Sequence, residues 1–216
     1  MRAIFDLDGT LVDSALDIHA AGNRTLAAEG LPPVTPKQAQ GFVGHGAKVF
    51  VDRLERAAAG TNDPARTERM RARFAAEYEI AHDFSTVYPG VETALATLKA
   101  QGWQLGLCTN KPLRPALAVL AHFGWSDMFE VVIAGDSLPV TKPDPAPLLA
   151  AMQALDDSPL VYVGDSEVDA RTAQAARVPF ALYTLGYRKS PIDQIPHAEA
   201  FDDWSALPAI AQRLAR

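Results

Sequence analysis

From Tyr88 to the C-terminus, short apolar runs alternate with helix-length stretches, and this rhythm constrains the fold more than any other feature of the chain. Strands are expected at Gln104 to Thr109, Glu130 to Ala134, Leu160 to Val163 and Phe180 to Tyr183. Helices are expected at Val91 to Gln101, Leu113 to Phe123, Ala146 to Leu155, Glu167 to Ala176 and, last, near Trp204 to Leu214. Such alternation builds a parallel sheet, and right-handed crossovers bring the strand exits to one edge. A further buried strand is expected almost at the N-terminus, in the apolar run that ends at Phe5, with Gly9 marking a sharp turn beyond it.

Between Ser14 and Phe84 no strand signal occurs, so this stretch is expected to be a helical insertion. Its first helix runs from about Ala15 to Glu29, with Leu16, Ala20 and Ala27 expected on one face and Gly30 as its stop. Thr35, Pro36 and Gln38 form a capping box with proline at the first helical position, and the helix they start ends near Gly41. Gly44-His45-Gly46 is a loop before a third helix at Ala47 to Ala59, and Asp63-Pro64 starts a fourth. In that fourth helix Met70, Phe74 and Tyr78 recur every four residues, an apolar stripe expected to be core. The fold class is therefore α/β, a Rossmann-like parallel-sheet core (1–14 and 84–216) with an inserted helical cap (15–83).

Polar clusters follow the strand-like runs, or lie shortly beyond them, at four places: Asp6-Leu7-Asp8-Gly9, Thr109-Asn110-Lys111, Lys142-Pro143 and Gly164-Asp165-Ser166. In open α/β sheets ligands bind at the carboxyl ends of strands, so four such clusters point to one site. Mg²⁺ wants hard oxygen ligands, which a carboxylate and a nearby backbone carbonyl on one tight turn can supply. The same turn has room for a nucleophile and a proton donor. Each cluster also has a plainer use. Asp6 and Asp8 suit a turn beside Gly9, Asp165 with Ser166 suits a helix cap, Asn110 suits a turn, and Lys142 suits a solvated surface.

A formal charge of −6 argues against general nucleic-acid or anionic-membrane binding, which relies on clustered Lys and Arg. The single cysteine, Cys108, lies in an apolar run, has no internal partner and suggests a reducing compartment. No apolar run approaches the roughly 18 residues of a membrane helix. The expected setting is cytoplasmic, and the chain is expected to be a monomer or homodimer.

The four clusters, in this order, resemble the motifs of the haloacid dehalogenase superfamily of aspartate-nucleophile phosphatases. The resemblance implies that Asp6 attacks phosphorus, that Asp8 protonates the leaving oxygen and later activates water, and that Lys142 stabilises transferring charge. It implies Mg²⁺ held through Asp6, Asp8 and Asp165, with Asp169 acting from behind them, and phosphate oxygens bound at Thr109 and Asn110. Tyr88-Pro89-Gly90-Val91, Gly186-Tyr187 and the insertion with Val43-Gly44-His45-Gly46 are similar to the phosphoglycolate phosphatase branch. That likeness makes 2-phosphoglycolate the expected substrate and His45 a candidate contact. Other readings stay open: a sugar phosphomutase, a pyrophosphatase, another small-phosphate phosphatase, or a phosphoacceptor signalling module. Asp8 and the insertion fit the last poorly, since a receiver needs no acid for a leaving alkoxide. Arg177 stands before Val178-Pro179, where relatives usually carry glycine.

Overall fold

Short strands of β-branched and aromatic residues bury both faces when they pair in parallel, and that is how the apolar runs are used. In the computed structural model, which describes residues 1–215, the strands in chain order are β1 (Arg2–Phe5), β2 (Val12–Asp13), β3 (Thr86–Val87), β4 (Gln104–Cys108), β5 (Val131–Ile133), β6 (Leu160–Gly164), β7 (Phe180–Tyr183) and β8 (Glu199–Phe201). Arg216, the last residue of the expected core, lies outside that range. The helices are α1 (Ala15–Ala28), α2 (Pro36–Phe42), α3 (Ala47–Ala59), α4 (Pro64–Glu79), α5 (Val91–Ala100), α6 (Leu113–His122), α7 (Ala146–Gln153), α8 (Glu167–Ala176) and α9 (Leu207–Leu214).

Six strands form one parallel sheet in the order β5-β4-β1-β6-β7-β8. The chain leaves β1 toward β4 and β5 on one side, then returns to β6 and continues outward to β7 and β8. Connections therefore diverge between β1 and β6, and the crevice at their carboxyl ends is the place such sheets bind ligands. Alternation along β1 serves two cores. Ala3 and Phe5 pack with Leu95, Leu105 and Trp204 on one face, while Ile4 packs with Leu148, Tyr162 and Phe180 on the other.

The insertion leaves and rejoins this core through β2 and β3, which pair antiparallel with Val12 opposite Val87 and Asp13 opposite Thr86. Buried Asp17 at the start of α1 ties the returning chain down, accepting from Phe84 N–H and from Ser85 Oγ at 2.6 Å. Helices α1 to α4 share a separate apolar core around Leu26, Phe50, Leu54, Met70 and Phe74. The Thr35 capping box forms as the sequence predicts, and Asp63 caps α4 through Arg66 N–H at 2.8 Å.

Three expectations are corrected. The buried face of α1 is Ile18, Ala21, Gly22, Thr25 and Leu26, whereas Leu16 and Ala27 face solvent. Gly22 explains the rotation, because a Cβ there would sit 3.3 Å from the Phe50 ring, so the smallest residue lets α1 and α3 approach. The final helix begins at Leu207, after a 3-10 turn at Trp204–Ala206 capped by Asp203. An edge strand, β8, pairs with β7 where the sequence showed none. Arg177, in contrast, ends α8 in the left-handed conformation at φ 57° and ψ 42°. Val178 N–H reaches back to Ala173 O, the bond of a glycine-type helix end made without glycine.

Candidate active site

The turn after β1 sets the geometry. Asp6 N–H extends the ladder to Val163 O, and then the N–H groups of Thr10, Leu11 and Val12 all point to Leu7 O. Gly9 takes φ 84°, and a Cβ on it would lie 2.6 Å from Asp165 Oδ2. Glycine is therefore required twice, for the turn and for the carboxylate across the crevice. From this turn Asp6 and Asp8 face different surroundings.

Asp6 faces a buried cluster. The carboxylates of Asp6, Asp165 and Asp169 offer oxygens within 4.8 Å of one another. Lys142 Nζ lies 3.0 Å from Asp6 Oδ1 and 2.7 Å from Asp169 Oδ1, and its side chain is only 1% exposed. Ser166 caps α8 through Asp169, and Tyr162 OH donates to Asp169 Oδ1 at 2.8 Å. Thr10 Oγ1 and Tyr187 N–H fix Asp165, at 2.9 and 2.5 Å. Burial pushes the Asp6 carboxyl up to about 7, against the pull of Lys142. Burial also pushes Asp165 well up, with Asp169 and Asp6 adding to it. Asp169 is buried too, yet Lys142, Ser166 and Tyr162 outweigh the burial and hold it below the usual carboxylate range. Three carboxyls enclosed with one ammonium resist ionising together, and hard oxygen donors of this kind suit a divalent cation such as Mg²⁺, whose charge would favour their ionised forms.

Asp8 turns away from that cluster. It accepts from Ser14 Oγ at 2.5 Å, from Lys111 Nζ at 3.1 Å and from Tyr78 OH at 3.3 Å. Between the two carboxylates and the insertion lies a cleft, walled by Thr109, Asn110 and Lys111 below and by Phe50, Phe74 and Tyr78 above.

The family model for haloacid dehalogenase-like hydrolases matches residues 2–177. The chain belongs to this family. A phosphoglycolate phosphatase of Cereibacter sphaeroides is 48% identical over 212 residues, 98% of this chain and 97% of that protein. One from Rhodobacter capsulatus is 46% identical, over 97% and 95% of the two chains. Among solved structures, a predicted phosphoglycolate phosphatase from Haemophilus somnus 129pt superposes with a TM-score of 0.91 at 32% identity, covering 97% of this chain and 96% of that one. A mutant of CbbY from Rhodobacter sphaeroides, in complex with xylulose-(1,5)bisphosphate, gives 0.78 at 25% identity over 95% of each chain.

Within this haloacid dehalogenase-like hydrolase the expected site residues are distributed unevenly. Asp6, Asp8, Thr109, Asn110 and Asp165 lie at the exits of β1, β4 and β6, Lys142 comes from the loop after β5, and Asp169 joins them from the first turn of α8. The Asp169 carboxylate, expected behind the metal ligands, lies beside those of Asp6 and Asp165, and the Asp8 carboxylate faces the cleft. The Asn110 side chain is fully committed: Oδ1 accepts from Lys142 N–H, and Nδ2 donates to Lys142 O and to Gly44 O of the insertion. His45 is not part of the cleft wall, although Gly44 and Gly46 on either side of it are. Its Nδ1 is shielded and without a partner, and burial, then Arg53, Lys189 and Arg171, hold its pKa below the ordinary value. Sequence reasoning gave no role to Lys111 or Ser14 and assigned Tyr78 to packing. Two of these carried a signal: Lys111 continues the Thr109-Asn110 cluster, and Tyr78 is the one hydroxyl in an otherwise apolar stripe.

Proposed function

We propose that the chain is a Mg²⁺-dependent phosphoglycolate phosphatase that works through an aspartyl-phosphate. The observation that carries the reading is the division of one turn: Asp6 beside Lys142 and two further carboxylates, Asp8 two residues on but facing the cleft and the insertion. Near-full-length relatives named phosphoglycolate phosphatase support the substrate.

In the first step an Asp6 carboxylate oxygen bonds to phosphorus as the bond from phosphorus to the glycolate oxygen breaks, and Asp8 gives its proton to that oxygen. In the second, Asp8 takes a proton from water, the water oxygen bonds to phosphorus, and Asp6 leaves with its carboxylate restored. Lys142 holds Asp6 in place and presents positive charge to the phosphoryl oxygens, joined by Thr109 Oγ and the Asn110 N–H. The Asn110 side chain positions Lys142 and the Gly44 loop. Asp6, Asp165 and the backbone carbonyl of Asp8 would hold Mg²⁺, with Asp169 beside them, and the ion would supply further positive charge against the phosphate. Residues 15–83 act as a cap that closes over the crevice on the two linkers at β2 and β3 and excludes water. His45 belongs to the rim of that closure, and the chain works in the cytoplasm on a small phosphorylated metabolite.

The reading is tested with a phosphomonoester panel on purified protein, including 2-phosphoglycolate, xylulose 1,5-bisphosphate and pyrophosphate. The highest kcat/KM is expected for 2-phosphoglycolate, with Asp6→Asn lowering turnover roughly a thousandfold or more while the circular dichroism spectrum stays unchanged. A better bisphosphate or pyrophosphate substrate removes phosphoglycolate from the proposal. A folded Asp6→Asn protein with substantial turnover removes the nucleophile.

A further inference from the structure

Lys111 is a buried cation that the mechanism above does not use. Its side chain is 1% exposed, and it stands on the loop after β4 with Nζ 3.1 Å from Asp8 Oδ1. The same ammonium lies 2.6 Å from Tyr78 OH and 4.0 Å above the Tyr78 ring. Tyr78 is in the last turn of α4, so this contact joins the core to the cap across the mouth of the cleft. Around it the cap wall is apolar. Ile18, Phe50 and Phe74 line it, and Phe50, Phe74 and Tyr78 form one continuous stack with ring centroids 4.9 and 5.0 Å apart.

A phosphate ester whose phosphorus sits at Asp6 directs its ester oxygen to Asp8. The organic part beyond that oxygen then lies against Lys111 and the aromatic stack. An anionic group buried against apolar rings without a partner is costly, and among the described residues Lys111 is the only cationic side chain in the wall of the cleft. We propose that Lys111, oriented by Tyr78, binds a carboxylate carried one carbon beyond the ester oxygen. It thereby selects short phosphorylated 2-hydroxy acids over neutral phosphate esters. This rests on the phosphatase reading above and adds the residue pair that recognises the acid. Before substrate arrives Asp8 holds the ammonium in place; in the complex the substrate carboxylate shares it. The aromatic stack also limits length, because a longer chain must displace packed rings rather than a mobile loop.

The discriminating quantity is the ratio of kcat/KM for 2-phosphoglycolate to that for ethyl phosphate, which has the same length and no carboxylate. The ratio is expected to be well above one in the wild type and to fall roughly ten- to a hundredfold in Lys111→Met, mostly through KM for the acid. Lys111→Arg should recover part of it. Tyr78→Phe, which keeps the ring stack, should lower it several-fold. Equal losses on both esters in Lys111→Met would mean that the ammonium serves Asp8 alone, and would overturn the proposal. So would an unchanged ratio in Tyr78→Phe and Lys111→Met together. The test does not require phosphoglycolate to be the best substrate of the panel, so a failure of the substrate reading is seen separately from a failure of the Lys111 assignment.

Discussion

Replacing Lys142 by methionine removes a charge and keeps nearly the same length. In the folded protein this ammonium is the close partner of Asp6 and Asp169, at 3.0 and 2.7 Å, and Asp165 belongs to the same cluster. Burial alone would lower the lysine's pKa, but Asp169 and Asp6 outweigh it and hold it above the ordinary value, so the group stays charged. Its loss leaves carboxylates enclosed without a counter-charge, and breaking a buried pair in this way costs about 3–5 kcal/mol. Against a total stability of about 5–15 kcal/mol the variant remains folded but weakened. With an m-value of about 2 kcal/mol/M, the urea midpoint in chelator falls by roughly 2 M. Tryptophan fluorescence reads the relevant part of the molecule, since Trp103, Trp125 and Trp204 are all buried in the core on one face of the main sheet. Mg²⁺ adds a second handle. On the metal reading proposed above, lysine and Mg²⁺ would serve the same carboxylates, so saturating Mg²⁺ should raise the midpoint of Lys142→Met more than that of the wild type. Turnover should still drop at least about a hundredfold, because in the proposed mechanism the lost charge faces the transferring phosphoryl group. An unchanged midpoint in chelator, or a smaller Mg²⁺ increment in the variant, would refute the balance of charge described here.

Exhaustive chelation should abolish phosphatase activity, and added Mg²⁺ should restore it; full activity in chelator would disprove the metal assignment. Glu55 is buried in the cap, where burial raises its pKa, but bonds from Thr67, Asp63 N–H and Arg66 outweigh this and hold it below the model-peptide value of 4.5. A depressed folded pKa gives stability that is complete above about pH 4.5 and lost as pH falls through the folded value, so wild type and Glu55→Gln should converge in far-UV unfolding curves at acid pH. A gap that widens on acidification would contradict this sign. Arg177→Gly should stabilise, because φ 57° costs a side chain roughly 1 kcal/mol that glycine avoids; a rise in Tm of about 2 °C by calorimetry is expected, and a fall would count against a strained helix end.

What the sequence made legible were features with local causes. Strands β4, β6 and β7 are short buried runs, and the helix starts at Pro36 and Pro64 carry their own capping residues, Thr35 and Asp63. The features that stayed hidden depend on partners far along the chain. Val12 and Thr86 belong to strands of two residues each, too short for any periodicity, and these strands exist because the ends of the insertion meet. The face of α1 was misjudged for a related reason. Counting apolar side chains favours Leu16, but Gly22 and Thr25 are buried because α3 comes close there, and small or hydroxylated residues give no hydrophobic signal.

The same limit explains what was readable in the site. That Asp6 and Asp8 share one turn is a local fact, and their spacing alone suggested a pair of roles. Which carboxylate enters the buried cluster is decided elsewhere, by Lys142 and Asp169 on one side and by Ser14, Tyr78 and Lys111 on the other. Two chemically identical side chains are thus separated by their surroundings, one pushed up to about 7 by burial and one bonded across the cleft to an ammonium. Tyr78 completes that second environment from the insertion, so the surroundings of Asp8 are built from both parts of the chain. A cap that stayed open would leave Asp6 and Lys142 in place while removing Tyr78 from Asp8 and Lys111. On the roles proposed above, the nucleophile would be held by residues of the sheet alone, whereas the acid would take one of its partners from the cap, so that cap position would bear on the step that protonates the leaving group.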